Sequence, residues 1–259
     1  HLLNTLYVTS NQRYLSLDGE NVVVLEKEAE IGRVPLHNLQ SIVTFGYTGA
    51  SPALMGACAQ RNIDLSFMSG NGRFLARVSG EVKGNVTLRK QQFRISESSE
   101  QSMAIAKNFI LGKVFNARWV LERAARDYPM RLDAVKFKEK SQILYRSLEN
   151  IRNCDQPSSL LGLEGECASV YFSVFDDLIL QQKEDFYFHG RNKRPPLDNI
   201  NAMLSFTYSL LAGMCGSALE AVGLDPYVGF FHTDRPGRMS LALDIMEELR
   251  SVMADRVVL

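Results

Sequence analysis

Residues Gly229 to Arg250, GFFHTDRPGRMSLALDIMEELR, set a loop against a helix and bring three potential cation ligands close together in sequence. His232 lies in the loop that carries Pro236 and Gly237, and Ser240, a favourable N-cap residue, is expected to open the helix. At roughly 100° per residue, Leu241, Ile245, Met246, Leu249, Val252 and Met253 share the side expected to pack on a core. Asp244 and Glu247 fall off that side and, three positions apart, can lean towards one point. Two readings stand on these residues alone: a metal site, or an amphipathic helix with a solvated acidic edge.

The segment SSLLGLEGECASVYFSVFDDLIL, from Ser158, sharpens the choice. Drawn as a helix, it puts Leu160, Cys167, Tyr171, Phe175 and Leu178 on one side and Glu166, Ser169, Ser173, Asp176 and Asp177 opposite. Glu164 falls on the apolar side, where a carboxylate must be protonated, paired or metal-bound because an isolated buried charge is too costly. An internal ion pair with Arg191 or Arg194 competes with metal binding; Glu166 reads as solvated. The following stretch, FYFHGRNKRPPLDNINAMLSF, places Arg191, Lys193 and Arg194 on a loop stiffened by Pro195 and Pro196, a setting suited to phosphate contact. His189 beside them reads as structural or phosphate-facing. A helix beginning near Asp198 and running from Asn201 to about Glu220 is apolar nearly all round and belongs in the interior.

Upstream, Ala106, Phe109, Ile110, Val114, Ala117 and Leu121 recur at helical spacing until Pro129, with Lys107, Lys113, Arg118, Arg123 and Arg126 on the other sides. Lys136, Lys138, Lys140 and Arg146 follow on a second helix. Between Lys83 and Arg152 there are fifteen basic residues against seven acidic ones, although the whole chain balances at 29 of each. Basic side chains on successive helices suit a nucleic-acid face, and equally an ordinary solvated one.

Before about Gly80 the texture is β-like: LLNTLYVTS, YLSLDGENVVVLEKE and LQSIVTFG, with a turn at Asp18-Gly19, one helix opened by Pro52, and a return to strands around Asn71-Gly72. His37 reads as a turn or surface residue. The expected fold class is α+β: a small amino-terminal β-rich, β-sandwich-like domain over residues 1–82, a linker over 83–100, and a larger all-α catalytic domain over 101–259. The 259 residues and 46% hydrophobic content suffice for a buried core. Four dispersed cysteines, Cys58, Cys154, Cys167 and Cys215, read as buried free thiols of a reducing compartment. No apolar run in this reading approaches a bilayer-crossing length, so a cytoplasmic protein with no membrane partner is expected.

Glu164 in L-E-G, the R-x-K-R-P-P loop and the closing G-F-x-H and L-A-L-D segments together resemble the CRISPR-associated integrase of the adaptation module, the first, universal Cas protein, most closely its type I versions. The resemblance runs from the β-rich domain to the last helix. It implies a homodimer, with the β-rich domain as dimerisation scaffold, that joins the small second Cas protein. The assembly acts on double-stranded DNA, prespacer and CRISPR repeat, inserting new spacers. It also implies a metal triad of Glu164, His232 and Glu247, with Asp244 as the accompanying acidic residue of the catalytic set. Family members usually continue into a further helical tail, whereas this sequence stops at Leu259, so the resemblance leaves that tail's contribution to DNA or partner binding open.

The residue types agree with that chemistry. One imidazole and two or three carboxylates form a hard, mostly oxygen site suited to Mn²⁺ or Mg²⁺ rather than to thiolate zinc. Transesterification exchanges one phosphodiester for another and needs no nucleotide cofactor, and the sequence has no G-x-x-x-x-G-K-[ST] phosphate loop. The competing readings are a catalytically idle DNA-binding scaffold and a hydrolase of a small phosphoester. The first has no reason to gather Glu164, His232 and Glu247, and the second none to spread basic residues over several elements.

Overall fold

In a computed structural model of the chain, which describes residues 4–80 and 85–259, strands come first and helices follow. Two compact units result, one running to Asn85 and including Glu220–Gly223, the other formed by Val86–Leu219 and Leu224–Leu259.

The first unit holds two sheets. Strands β2 (Arg13–Asp18), β3 (Asn21–Glu26) and β4 (Ala29–Pro35) form an antiparallel meander, and the Asp18↔Asn21 pairing closes the first hairpin around Gly19, whose φ of +55° favours glycine. Strands β1 (Thr5–Val8), β5 (Ser41–Phe45), β6 (Asp64–Met68) and β7 (Phe74–Val78) form the second sheet in the order β1-β5-β6-β7, parallel except for β7. Helix α1 (Pro52–Arg61) makes the crossover, opened by Ser51 Oγ accepting from Leu54 N at 3.2 Å with Pro52 at its first turn. Val8, Leu15, Val22, Leu36, Ile42, Leu54 and Leu65 form the core between these elements. His37 is exposed in the 3₁₀ turn Leu36–Asn38, as expected.

The second unit is helical: α2 (Val86–Glu97), α3 (Ser99–Asp127), α4 (Ala134–Arg152), α5 (Pro157–Phe172), α6 (Asn199–Ala221) and α7 (Ser240–Leu249), followed by a π-helical turn (Arg250–Asp255) and the short α8 (Arg256–Val258). Helix α3 packs on α4, α5, α7 and the π-helical turn. Its buried residues Met103, Ala106, Ile110, Val114, Ala117 and Leu121 recur at helical spacing.

Four expectations need correction. The stretch expected as linker, 83–100, carries α2, although Lys83 itself lies outside the described residues. Within that helix the buried Gln92 amide donates to Asp225 O and Val228 O and accepts from Asp225 N, a tie that the polar, serine-rich composition concealed. Helix α5 stops at Phe172, and Asp176–Leu178 form a separate 3₁₀ turn. Ser240 is the first helical residue rather than the cap; its hydroxyl donates back to Thr233 O at 3.2 Å. Finally, α6 is long and apolar enough by composition to cross a bilayer. Here it packs along one face through Ile200, Leu204, Leu211, Cys215 and Leu219, and its buried Asn201 and Tyr208 bond to neighbouring elements. All four cysteines are buried and free.

Candidate metal centre

The turn before α7 is built around one carboxylate. Asp244, fully buried, accepts from Phe230 N at 2.7 Å, Phe231 N at 3.0 Å and His232 N at 2.9 Å. Gly229 is required there, because a Cβ would meet Ser240 Cβ at 2.7 Å and His232 O at 2.8 Å. His232 Nδ1 lies 2.7 Å from Asp244 Oδ1. A carboxylate only accepts, so the hydrogen is assigned to Nδ1 and the Nε2 lone pair is free to bind a cation. Nε2 lies 3.9 Å from Glu247 Oε1.

Asp244 and Glu247 therefore point inward, contrary to the helical-phase reading, while Ile245 and Leu249 are only partly buried. The reason is that α7 is covered on most of its circumference, and the π-helical turn after Leu249 shifts the phase so that Ser251, Ala254 and Asp255 are buried and Val252 and Met253 partly so. Glu247 is only 3% exposed. Burial pushes its carboxyl up, but the charges of Arg250 and Lys113 outweigh that and hold it below the usual carboxylate range. Arg250 Nη2 binds Glu247 Oε1 at 2.8 Å.

Glu164 projects from α5 into the same space, its side chain 19% exposed, whereas Glu166 is exposed. Its partner is neither Arg191 nor Arg194 but Lys113 of α3, whose ammonium also lies 2.6 Å from Glu247 Oε2. Helical phase makes Lys113 one of several outward basic residues of α3; in the fold its side chain is 12% exposed and faces the site. Gly112 explains the reach, since a Cβ there would meet Glu248 Cγ at 2.8 Å, so α3 and α7 approach closely at this point. Asn116 Nδ2 fastens the pair by donating to Glu248 O at 2.8 Å.

A cavity of ≈ 500 Å³ opens beside these carboxylates, lined among others by Cys167, Phe172, His189, Lys193, Tyr208 and Asp255. Arg191 also lines it but spends its donors on the protein: Asn201 Oδ1 at 2.8 Å, Ser205 Oγ at 3.3 Å and the Asn192 carbonyl, with its guanidinium 5.2 Å from the Tyr208 ring. Lys193 and Arg194 are exposed. At the cavity floor Tyr208 Oη bonds Asp255 Oδ1 at 2.5 Å, and burial raises the Asp255 carboxyl to about 6.

Among the described residues no three His, Cys, Asp or Glu side chains stand at metal-coordinating spacing. The three expected ligands are nonetheless linked in pairs: Glu164 to Glu247 through the Lys113 ammonium, and Glu247 to His232 directly. Glu247 Oε2 is buried against the Lys113 ammonium, 2.6 Å away. Two carboxylates already sharing one cation, with an imidazole nitrogen alongside, form a donor set that fits a hard divalent ion. Sequence reasoning missed Lys113, Arg250, Tyr208 and Asp255. Of these only Arg250, one turn after Glu247, carried a local signal.

Residues 6–259 match the family described as CRISPR associated protein Cas1. A curated relative from Rhodospirillum rubrum, CRISPR-associated endonuclease Cas1 2, is 50% identical over 262 residues, covering 100% of this chain and 75% of the relative. Among solved structures, a casposase bound to integration product has a TM-score of 0.77 at 24% identity, covering 98% of this chain and 71% of that one. A chain of a Cas6-RT-Cas1–Cas2 complex has a TM-score of 0.71 at 22% identity, covering 98% and 27% respectively. At these identities the structural likeness is one of fold.

Proposed function

This chain belongs to the Cas1 family of CRISPR-associated proteins, and from that premise we propose that it is a metal-dependent DNA endonuclease and integrase inserting spacer DNA into a CRISPR array. The observation that carries the reading is the meeting of Glu164 from α5 and Glu247 from α7 on one cationic group, with His232 beside Glu247. We assign Glu164, His232 and Glu247 as metal ligands and Asp244 as the residue that positions His232. A bound Mn²⁺ or Mg²⁺ supplies Lewis-acid polarisation of the phosphodiester.

The protein's own groups do the rest. Asp244 holds Nδ1 of His232 and so aims Nε2 at the site. Arg250 holds one oxygen of Glu247, which fixes that carboxylate's rotation. Lys193, exposed where it lines the cavity, and the exposed Arg194 next to it contact phosphates, while Arg191 holds their loop in shape. In strand transfer a DNA 3′-hydroxyl attacks phosphorus as the bond to another 3′-oxygen breaks. The proton lost by the first hydroxyl is balanced by the one gained by the second. Homodimer formation, association with the second Cas protein and action on cytoplasmic DNA complete the proposal. They are supported by the family resemblance and by the fold shared with a chain of the Cas6-RT-Cas1–Cas2 complex.

An idle scaffold is not favoured, since the curated relative is named an endonuclease. The direct test is Mn²⁺-dependent cleavage and joining of duplex DNA by the purified chain, with and without the second Cas protein. Wild type is expected to be active and His232→Ala, folded by circular dichroism, inactive. Activity in the folded variant would sink the assignment.

A further inference from the structure

We propose that Lys113 is a resident counter-cation of the metal site: its ammonium holds Glu164 and Glu247 together until a divalent ion displaces it. This rests on the ligand assignment above and adds to it a residue on a third helix.

The argument begins with charge. Glu247 is almost completely buried and Glu164 largely so, and two carboxylates facing one another in such a place repel strongly unless a cation lies between them. Lys113 Nζ is that cation, ion-paired with one oxygen of each. Arg250 neutralises Glu247 from the other side through its second oxygen. Removing the ammonium without replacing it would therefore leave Glu247 paired with Arg250 alone and Glu164 uncompensated.

The ammonium satisfies the site incompletely. Its N–H donors are turned to one oxygen of each carboxylate, whereas a divalent ion would also take the His232 Nε2 lone pair as a ligand. A divalent ion bonded to Glu164, Glu247 and His232 replaces one positive charge by two and adds a third ligand bond, so exchange runs towards the metal.

The backbone permits the exchange. Val114, next to Lys113, is 1% exposed and Gly112 is packed against Glu248, so the Cα of Lys113 is held while its four-carbon stem can rotate. The cavity of ≈ 500 Å³ that Lys113 lines receives the withdrawn ammonium. There it stays within reach of a phosphate entering the same cavity beside Lys193.

Three measurements on the full chain test this. Mn²⁺ affinity by calorimetry should rise by about tenfold or more in Lys113→Met, which keeps the stem and removes the charge, whereas Lys113→Arg should not strengthen binding. In the wild type, acylation of Lys113 by an amine-reactive ester, read by mass spectrometry, should increase when Mn²⁺ is added. Glu164→Gln should lose Mn²⁺ affinity. An unchanged or weakened affinity in folded Lys113→Met, or labelling of Lys113 that stays constant or falls with Mn²⁺, overturns the counter-cation role. If Lys113→Met does not fold, the wild-type labelling result decides. If Glu164→Gln binds Mn²⁺ like wild type, the ligand assignment itself fails and takes this inference with it.

Discussion

The Nδ1 of His232 lies 2.7 Å from Oδ1 of Asp244, and the same carboxylate accepts the backbone N–H groups of Phe230, Phe231 and His232. One buried side chain thus closes the loop and orients the imidazole. Asp244→Ala strands three N–H groups at about 1–3 kcal/mol each, so roughly 3 kcal/mol or more should be lost in chemical denaturation. Asp244→Asn keeps one acceptor oxygen and should fold, with Mn²⁺ affinity reduced about 10- to 100-fold as the imidazole loses its fixed tautomer. Wild-type affinity in Asp244→Asn would show that His232 is oriented by something else.

Glu164 and Glu166 are two residues apart and have opposite surroundings: the first pairs with Lys113 inside the site, the second is exposed. Glu164→Ala should abolish metal-dependent DNA cleavage while Glu166→Ala retains nearly wild-type rates. The reverse pattern would mean that the wrong carboxylate has been placed in the triad.

Asp255 offers a pH test. Burial raises its carboxyl from 3.8 to about 6 despite the hydrogen bond from Tyr208 and the nearby Arg250. The folded protein therefore binds this proton more tightly than the unfolded chain does. That stabilisation is complete below pH 3.8 and disappears as pH rises through about 6. Between pH 5 and 7 wild type should lose about 1 kcal/mol relative to Asp255→Asn. Parallel stability curves for the two proteins would show that Asp255 does not titrate in that window.

The loop 191–194 divides into two roles. Lys193→Ala with Arg194→Ala should weaken binding to repeat-containing and scrambled duplexes by similar factors and reduce the salt slope by about one unit for each phosphate that the variant leaves un-neutralised. Arg191→Ala removes bonds to Asn201 and Ser205 and should lower the melting temperature. An unchanged slope in the double variant, or a weakening confined to the repeat duplex, would assign the loop to structure or to sequence reading.

Much of this architecture is legible in the chain. Period-two runs with Asp18-Gly19 between them mark the hairpin, and Ala106, Ile110, Val114, Ala117 and Leu121 mark α3, because each pattern follows from the repeat of its own backbone. The same argument separates Glu164 from Glu166. Such patterns tell which face of an element is covered, not which residue on another element covers it. Read from the sequence, the ion-pair alternative for Glu164 has Arg191 or Arg194 as its partner. The packing of α3 on α5 and α7, allowed at Gly112, supplies Lys113 instead, 51 residues away from Glu164.

Helical phase also fails where local geometry changes. It puts Asp244 and Glu247 at the edge of an amphipathic helix, yet both are buried, since α7 is enclosed on most sides and the backbone passes into a π-helical turn at Arg250. Arg191, a phosphate ligand by its charge alone, is committed to Asn201, Ser205 and the face of Tyr208. By itself, then, the sequence determined the order of elements, the β-then-α division and the residue types able to hold a metal. Tertiary structure alone decided which charges meet, because ion pairing depends on distances of a few ångströms between helices that sequence spacing does not encode.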